Sequence, residues 1–126
     1  MGASGSGKTA LFYSLFTGEF RYTVSSIEEN LSGKDEAIKL GEEIERKVQT
    51  VDIPGHFNFR ERIQELLESS AGIILVVDSK DKTKHSEAAE ILYDIINNIG
   101  VLDAKTPILV ACNKQDQQFA RKSNQI

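Results

Sequence analysis

Near the amino terminus the chain reads Gly2-Ala3-Ser4-Gly5-Ser6-Gly7-Lys8-Thr9, which fits the pattern G-x-x-x-x-G-K-[ST] at every position. Glycines allow such a loop to curl until successive backbone N–H groups face inward as a nest for an anion. Apolar side chains at helical spacing follow from Lys8 to Thr17, so the positive end of a helix dipole points at the same spot. The loop therefore predicts a nucleoside-triphosphate site that extends to Ala10, with Lys8 on the β- and γ-phosphates and Thr9 on Mg²⁺.

A second motif, Asp52-Ile53-Pro54-Gly55-His56, closes a predicted strand over 47–53. An aspartate at the carboxyl end of a strand lies near the phosphates in sheets of this kind. From there Asp52 is expected to orient the magnesium shell through water. Gly55 has no side chain to keep a γ-phosphate away, so its backbone N–H is a candidate donor to that group.

A third motif, Asn113-Lys114-Gln115-Asp116, follows the last apolar run. The Watson–Crick edge of guanine carries two donors, and an ionised carboxylate is acceptor-only, so Asp116 is expected to accept both hydrogen bonds. Adenine presents an acceptor at that edge and would be rejected. The stem of Lys114 is expected to pack along the purine face, with Asn113 beside it. This motif indicates a guanine nucleotide.

The remaining pattern alternates strands with helices, which predicts an α/β fold with a doubly wound, mostly parallel sheet. The predicted elements after the phosphate loop and its helix are a short strand over 37–40, the strand over 47–53, a helix capped by Asn58 and running from Arg62 to Ser69, a buried strand over 73–77, a helix from Ser86 ended by Gly100, a second buried strand from Ile108 to Cys112, and the start of a helix after Asp116.

Composition narrows the class of protein. The 126 residues carry 15 Lys and Arg against 19 Asp and Glu, a net charge of −4, which argues against direct binding of nucleic acid. The single cysteine has no partner for a disulfide within the chain. The longest apolar run, over 71–77, is too short to span a bilayer.

Together, G-x-x-x-x-G-K-T, D-x-P-G and N-K-x-D resemble the Ras-type GTPase superfamily, whose three-layer G domain is then the expected fold. The finer pattern, from Thr23-Val24-Ser25-Ser26-Ile27 and Val77-Asp78-Ser79 to Ala111-Cys112-Asn113-Lys114-Gln115-Asp116, resembles the family of signal recognition particle receptor β subunits. The Arf/Sar branch of coat-recruiting small GTPases is the alternative. Against that branch stand Pro54, His56 and the lack of tryptophan.

The resemblance implies roles for residues that no spacing argument assigns. The first switch, which contacts the nucleotide, would comprise Thr23, Val24, Ser25 and Ser26. The Thr23 hydroxyl would be a second magnesium ligand, with Ser25 as the alternative. His56 would orient the attacking water and is the one candidate catalytic side chain. Enzymatic activity is left open, because the resemblance points to a subunit that holds GTP rather than to a rapid hydrolase.

The resemblance also implies a partner protein and a cellular location. The partner would be the receptor's α subunit, bound at the cytosolic face of the endoplasmic reticulum membrane through a heterodimer, in co-translational protein targeting. Residues 1–126 would then be an incomplete G domain, lacking the first strand, the last strand and helix, and a membrane segment. A central strand buries several side chains at about 1.5–3 kcal/mol each, so we expect the isolated chain to be marginally stable or unfolded.

Overall fold

The computed structural model describes residues 1–17, 23, 30–32, 37–40, 44–55 and 60–126, and every structural statement below concerns that part of the chain. In order, the elements are α1 (Lys8–Thr17), β1 (Asn30–Leu31), β2 (Ala37–Leu40), β3 (Ile44–Lys47), β4 (Val51–Asp52), α2 (Arg60–Glu68), β5 (Ile73–Asp78), a 3-10 turn (Lys82–Lys84), α3 (His85–Ile96), α4 (Ile99–Ala104), β6 (Ile108–Asn113) and a second 3-10 turn (Ser123–Gln125).

The strands β5 and β6 form a parallel pair, in register from Ile73 opposite Ile108 to Asp78 opposite Asn113. Parallel neighbours require a crossover connection, and α3 and α4 supply it. The carboxyl ends of both strands therefore meet at one edge of the sheet. This pairing places Asp78 beside the start of the Asn113-Lys114-Gln115-Asp116 motif.

Met1 is bonded along β5 in the manner of a strand residue. Its amino group donates to the carbonyl of Ile74 at 2.7 Å, and the N–H of Val76 donates to the Met1 carbonyl at 2.8 Å. Bonds to residues on either side of one position are the pattern of a parallel bridge. The phosphate loop thus begins at the same edge of the sheet where β5 ends.

The core lies between β5 and the helices that follow and precede it. One cluster joins Leu67, Ile73, Ile95 and Val101, from α2, β5, α3 and α4. A second joins Leu75, Val77 and Ala88 beneath α3. Leu75 and Ile95 are each only 1% exposed. The continuous apolar run of β5 predicted a buried strand, and its residues are buried except Ile74, which is 39% exposed.

The helix predicted to run from Ser86 to Gly100 is in fact two helices, which corrects the sequence prediction. The break falls at Asn98, whose backbone is extended and whose side-chain oxygen accepts the N–H of Val101 at 3.0 Å as the N-cap of α4. Gly100 lies inside α4 rather than at a helix end. A Cβ there would come within 2.5 Å of Glu68 Cγ, so glycine allows α4 to approach α2 closely.

Three further sequence predictions need correction. The strand over 47–53 is interrupted, because β3 ends at Lys47 and pairs with β2, whereas β4 begins at Val51 and pairs with β1. The strand β6 is not fully buried: Leu109 is 60% exposed and Val110 is 43% exposed. The segment after Asp116 forms turns and a 3-10 turn instead of an α-helix. The proposed cap Asn58 lies outside the described residues.

A cleft of about 1160 Å³ separates α1 from the β5–β6 pair. Its walls include Leu11 and Leu15 of α1, Val51 of β4, and Ile74 and Leu109 of the parallel pair. In the described part of the chain, β1 pairs with β4 and β2 with β3, both antiparallel and neither joined to β5. The mixed α/β fold with a small parallel sheet is confirmed, while the doubly wound, three-layer arrangement goes beyond what these strands display.

No helix among the described residues combines the length and the apolar character that crossing a bilayer requires.

Candidate functional site

The phosphate loop has the backbone that its glycines predict. Gly2, Gly5 and Gly7 have φ angles of +142°, +74° and +94°, a region that residues with a Cβ rarely adopt. A side chain at Gly2 would collide with the carbonyl of Val76 in β5, and one at Gly7 with the Asn113 side chain. The loop closes on itself through the N–H of Ser6, which donates to the Ala3 carbonyl at 3.2 Å.

Four consecutive carbonyl groups of this loop accept hydrogen bonds from side chains. The bonds run from Lys8 Nζ to Ala3 O (2.8 Å), Lys84 Nζ to Ser4 O, Lys114 Nζ to Gly5 O (2.7 Å) and Asn113 Nδ2 to Ser6 O (2.9 Å). In a trans peptide the N–H points opposite to the C=O, so the amide hydrogens of the same peptide units face the other way. The arrangement is that of an anion-binding nest.

Lys8 lies at the first position of α1 and is 8% exposed. Burial lowers the pKa of its ammonium group, and the carboxylate of Asp52 partly offsets that effect. A buried ammonium group of lowered pKa gains from a nearby anion, because the anion favours the charged form. Lys8 therefore lies with its ammonium group on the phosphate loop, where a nearby anion would favour its charged form.

Thr9 and Asp52 meet beside the loop, where the Thr9 hydroxyl donates to Asp52 Oδ2 at 2.6 Å. The described residues contain no group of three or more histidine, cysteine, aspartate or glutamate side chains able to hold a metal. A hydroxyl and one carboxylate fit Mg²⁺, which is commonly held by one or two carboxylates together with substrate phosphates. The fully buried hydroxyl of Ser6 has no hydrogen-bond partner in the described part of the chain, as expected where a bound group or water completes a site.

Gly55 is packed directly against the phosphate loop. A Cβ at this position would lie 2.7 Å from Ser4 Cα and 2.9 Å from the carbonyl carbon of Ala3. Pro54 beside it is buried. The Asp52–Gly55 motif is therefore in direct contact with the phosphate loop.

Lys114 links the third motif to both the loop and the sheet. Its backbone is left-handed, with φ of +63°, and its Nζ lies 2.5 Å from Asp78 Oδ2. Burial raises the pKa of the Asp78 carboxyl, but the hydrogen bonds from Lys114 and from the backbone N–H groups of Asp81 and Lys80 lower it further, so that the net pKa falls below its ordinary value. The pair holds the Lys114 stem at the site.

The neighbouring residues of the third motif shape the turn. Gln115 Nε2 donates to Ser79 Oγ at 2.7 Å and to the carbonyl of Arg121 at 2.9 Å, which ties the turn to the end of β5. Asp116 is exposed, and its carboxylate accepts a bond from Gln117 at 2.9 Å. The carboxylate expected to contact the base is thus accessible to a ligand.

The predicted site residues divide into three groups. The residues that the structure brings together are Gly2, Ala3, Ser4, Gly5, Ser6, Gly7, Lys8, Thr9, Asp52, Gly55, Asn113 and Lys114, with the half-buried Ala10 next in α1. Thr23 is exposed. Val24, Ser25, Ser26 and His56 lie outside the described residues, so the switch and the catalytic histidine stay predictions.

Two residues at this site were missed by the sequence analysis. The motif argument did not use Asp78, although its position at the carboxyl end of a buried strand was a usable signal. Lys84 belongs to a mixed-charge run, 80–84, that carries none of the three motifs, yet its ammonium group donates to Ser4 O. The sequence Asp81-Lys82-Thr83 could have indicated the turn, because the Asp81 side chain caps it by accepting the Thr83 N–H.

Comparison with known proteins agrees with these features. The mouse signal recognition particle receptor subunit beta is 32% identical over 128 residues, all of this chain and 46% of the mouse protein. The Saccharomyces cerevisiae subunit is 35% identical over 131 residues, 99% of this chain and 50% of the yeast protein. The chain thus spans about half the length of these curated relatives. ADP-ribosylation factor-like protein 1 of S. cerevisiae is 31% identical over 129 residues, all of this chain and 64% of that protein.

A solved structure of the mammalian SRP receptor matches this fold with a TM-score of 0.77 and 29% identity, covering 98% of this chain and 65% of that one. The family model for the signal recognition particle receptor beta subunit matches residues 1–126. A family model that matches the whole chain, together with relatives 32% and 35% identical over nearly all of it, assigns the family. The chain belongs to the signal recognition particle receptor beta subunit family.

Proposed function

We propose that this chain is the GTP-binding part of a signal recognition particle receptor β subunit. GTP lies with its phosphates in the loop from Gly2 to Ala10, above all on Lys8. Its guanine ring is held by Asn113, Lys114 and Asp116. The full-length natural protein is the material for the experiments that follow, unless another form is named.

The observation that carries the proposal is the link between the phosphate loop and the base motif. Asn113 and Lys114, from the base motif, donate to Ser6 O and Gly5 O of the phosphate loop at 2.9 and 2.7 Å. The base and the phosphates are two ends of one molecule, so motifs that read them must have a fixed separation. These bonds supply that fixed separation and support a single nucleotide bound across both motifs.

Magnesium would be held by Thr9 and Thr23, with Asp52 acting through water. When bound with the nucleotide, the ion supplies positive charge to the phosphate oxygens. The hydrogen bond from Thr9 to Asp52, 2.6 Å long, keeps the hydroxyl and the carboxylate adjacent at the carboxyl end of β4. Removal of magnesium by chelation is expected to weaken binding of GTP to the protein.

The guanine assignment is tested by Asp116→Asn. Direct titration with Mg²⁺ present should show that the wild type prefers GTP to ATP, and that the variant loses GTP affinity while gaining affinity for xanthosine triphosphate. The physical reason is that an amide presents a donor where guanine also presents a donor. Asp103→Asn removes an exposed carboxylate of α4 and is the charge-matched control. Unchanged GTP selectivity in Asp116→Asn would refute the base contact.

Hydrolysis is proposed to be slow and to depend on His56 as the residue that orients water. The first switch would comprise Thr23, Val24, Ser25 and Ser26, ordered by the γ-phosphate. Single-turnover hydrolysis by His56→Ala should be slower than by the wild type, while GTP affinity stays the same. Equal rates would remove His56 from the catalytic role.

In the cell, the GTP-bound protein would hold the receptor's α subunit at the cytosolic face of the endoplasmic reticulum membrane during co-translational targeting. Family membership and the names of the relatives support this role, and ordered switches would provide the binding surface. Capture of the α subunit's amino-terminal domain should be stronger with GTP than with GDP or no nucleotide. Equal capture in all three states would refute the coupling.

The Arf/Sar class is the second candidate, because ADP-ribosylation factor-like protein 1 of S. cerevisiae matches the whole chain at 31% identity. A cycling hydrolase of that class would respond to an activating protein, since a supplied arginine raises the rate by about 10³–10⁵-fold. Single-turnover hydrolysis with and without Arf-type activators separates the two functions. Stimulation, together with no capture of the α subunit, would favour the second.

A further inference from the structure

Lys84 approaches the phosphate loop from a part of the chain that carries none of the three nucleotide motifs. It is the last residue of the 3-10 turn before α3, and its Nζ donates to Ser4 O, 80 residues earlier in the sequence. A Cβ at Gly5 would lie 3.2 Å from the same nitrogen. Ser4 is thus in contact with both Gly55 and the Lys84 ammonium group.

The turn that carries Lys84 is braced by its own hydrogen bonds. Asp81 Oδ1 accepts the Thr83 N–H at 3.1 Å and the Thr83 hydroxyl at 2.6 Å, and the Lys84 N–H donates to the Asp81 carbonyl at 3.2 Å. Asp78 holds the base of the turn by accepting the Asp81 N–H at 3.1 Å, and the His85 ring lies 2.9 Å from the Asp78 carbonyl. The backbone of Lys84 is therefore fixed by bonds that do not involve the phosphate loop.

The Lys84 ammonium group is one of three that donate to carbonyls of the loop, beside those of Lys8 and Lys114. Burial lowers the pKa of Lys8, and the nearby charge of Lys84 lowers it again. Like charges held together at a curl of backbone amides raise the local affinity for an anion. Lys84 is half-buried, in contrast to Lys82, which is exposed on the same turn.

We propose that Lys84 is a positioning residue of the phosphate loop. Its bond to Ser4 O keeps the Ser4–Gly5 peptide turned so that the Gly5 N–H faces the bound phosphate, and this slows the release of the nucleotide. The inference rests on the proposed function as a GTP-binding subunit. It assigns a role to a residue outside the three motifs.

The test compares Lys84→Ala, Lys84→Arg and Lys82→Ala in the full-length protein, by the release rates of fluorescent GTP and GDP. Lys84→Ala should release both nucleotides about tenfold faster, the size expected for one hydrogen bond to a charged group. Arginine keeps the charge and the donors, so Lys84→Arg should restore most of the slow release. Lys82→Ala removes the same charge from the same turn and should match the wild type.

A second measurement is made without nucleotide. Amide hydrogen exchange over residues 3–7 should be faster in Lys84→Ala than in Lys82→Ala, while the thermal midpoint of the two variants is equal. If the wild type shows no preference for GTP over ATP, the proposed function fails, and this exchange measurement still decides the role of Lys84.

Four results would overturn the inference. The first is that Lys84→Ala releases both nucleotides at the wild-type rate, and the second is that it releases only GTP faster. The third is that Lys82→Ala speeds release as much as Lys84→Ala does. The fourth is that Lys84→Arg fails to restore slow release and also has a lowered thermal midpoint. Faster release of GTP alone would mean direct contact with the terminal phosphate, because the loop amides cradle the α- and β-phosphates that GDP retains.

Discussion

Gly55 and the phosphate loop leave no room between them for even one methyl group. Gly55→Ala should lower the free energy of unfolding by about 1–3 kcal/mol, the usual cost of overpacking, and weaken GTP binding through displacement of Ser4. Gly72→Ala is the matched control, because the nearest atoms to its Cβ would be those of Pro107 at 3.8 Å. It should change stability by no more than about 0.5 kcal/mol. Chemical denaturation and GTP titration measure both effects, and equal behaviour of the two variants would contradict the close packing.

The Asp78–Lys114 pair predicts a pH dependence of stability. Burial raises the pKa of Asp78, but hydrogen bonding to Lys114 and to backbone N–H groups lowers it below the ordinary value of 3.8. The folded protein therefore binds this proton less tightly than the unfolded chain does. The stability that Asp78 contributes is present above about pH 4 and is lost as the pH falls through the folded-state pKa.

Replacement of Asp78 by asparagine tests that prediction. At pH 7 Asp78→Asn should be less stable than the wild type by about 2 kcal/mol, and the difference should shrink below about pH 4. Asp94→Asn removes an exposed carboxylate of α3 and should keep wild-type stability at pH 7. Urea denaturation across the pH range measures the difference. A stability difference that stayed constant down to pH 3 would rule out the proposed link between Asp78 protonation and folding.

Among the secondary-structure elements, α4 depends most clearly on one residue. Asn98 lies between α3 and α4, and it caps α4 because its side-chain oxygen accepts the Val101 N–H. Val101 lies in the core cluster with Leu67, Ile73 and Ile95, so the cap also positions a core side chain. A change at Asn98 is therefore expected to affect packing as well as helix formation.

Asn98→Ala should destabilise the protein by about 1 kcal/mol, the typical cost of losing an N-cap acceptor. Asn98→Asp keeps an oxygen acceptor at the same place and should stay close to the wild type. Urea denaturation of both variants measures the free energy of unfolding, which is compared where its dependence on urea concentration has the same slope. If alanine and aspartate destabilise equally, α4 does not depend on this cap.

For the whole molecule, the apolar cleft limits stability. The cleft of about 1160 Å³ separates α1 from the parallel pair, and Leu109 and Val110 of β6 are largely exposed. Domains are stable by only about 5–15 kcal/mol, so apolar surface left unburied on this scale removes much of the margin.

We expect the 126-residue chain alone to unfold broadly on heating, with no cooperative transition. Circular dichroism and calorimetry of the isolated chain measure this, and the full-length protein with GTP and Mg²⁺ is the reference. A single sharp transition of the isolated chain, with equal calorimetric and van't Hoff enthalpies, would contradict the prediction.

Local patterns in the amino-acid sequence were sufficient for the phosphate loop, α1, β5 and the three nucleotide motifs. Glycine spacing and side-chain periodicity act over a few residues, so they can be read without knowledge of neighbours. The superfamily was also recognisable from the three motifs, and the family from the finer pattern over 23–27, 77–79 and 111–116. The break between α3 and α4 also has a local cause, the N-cap bond of Asn98. Apolar residues continue at helical spacing across it, so the sequence predicted a single helix.

Contacts between distant segments were accessible only from the folded chain. Lys84 bonds a carbonyl 80 residues earlier, and Lys114 pairs with Asp78 across the β5–β6 register. The exposure of β6 likewise depends on what packs against it, although its apolar sequence resembles that of a buried strand. Such pairings arise from the way strands and helices pack together, and no local periodicity encodes them.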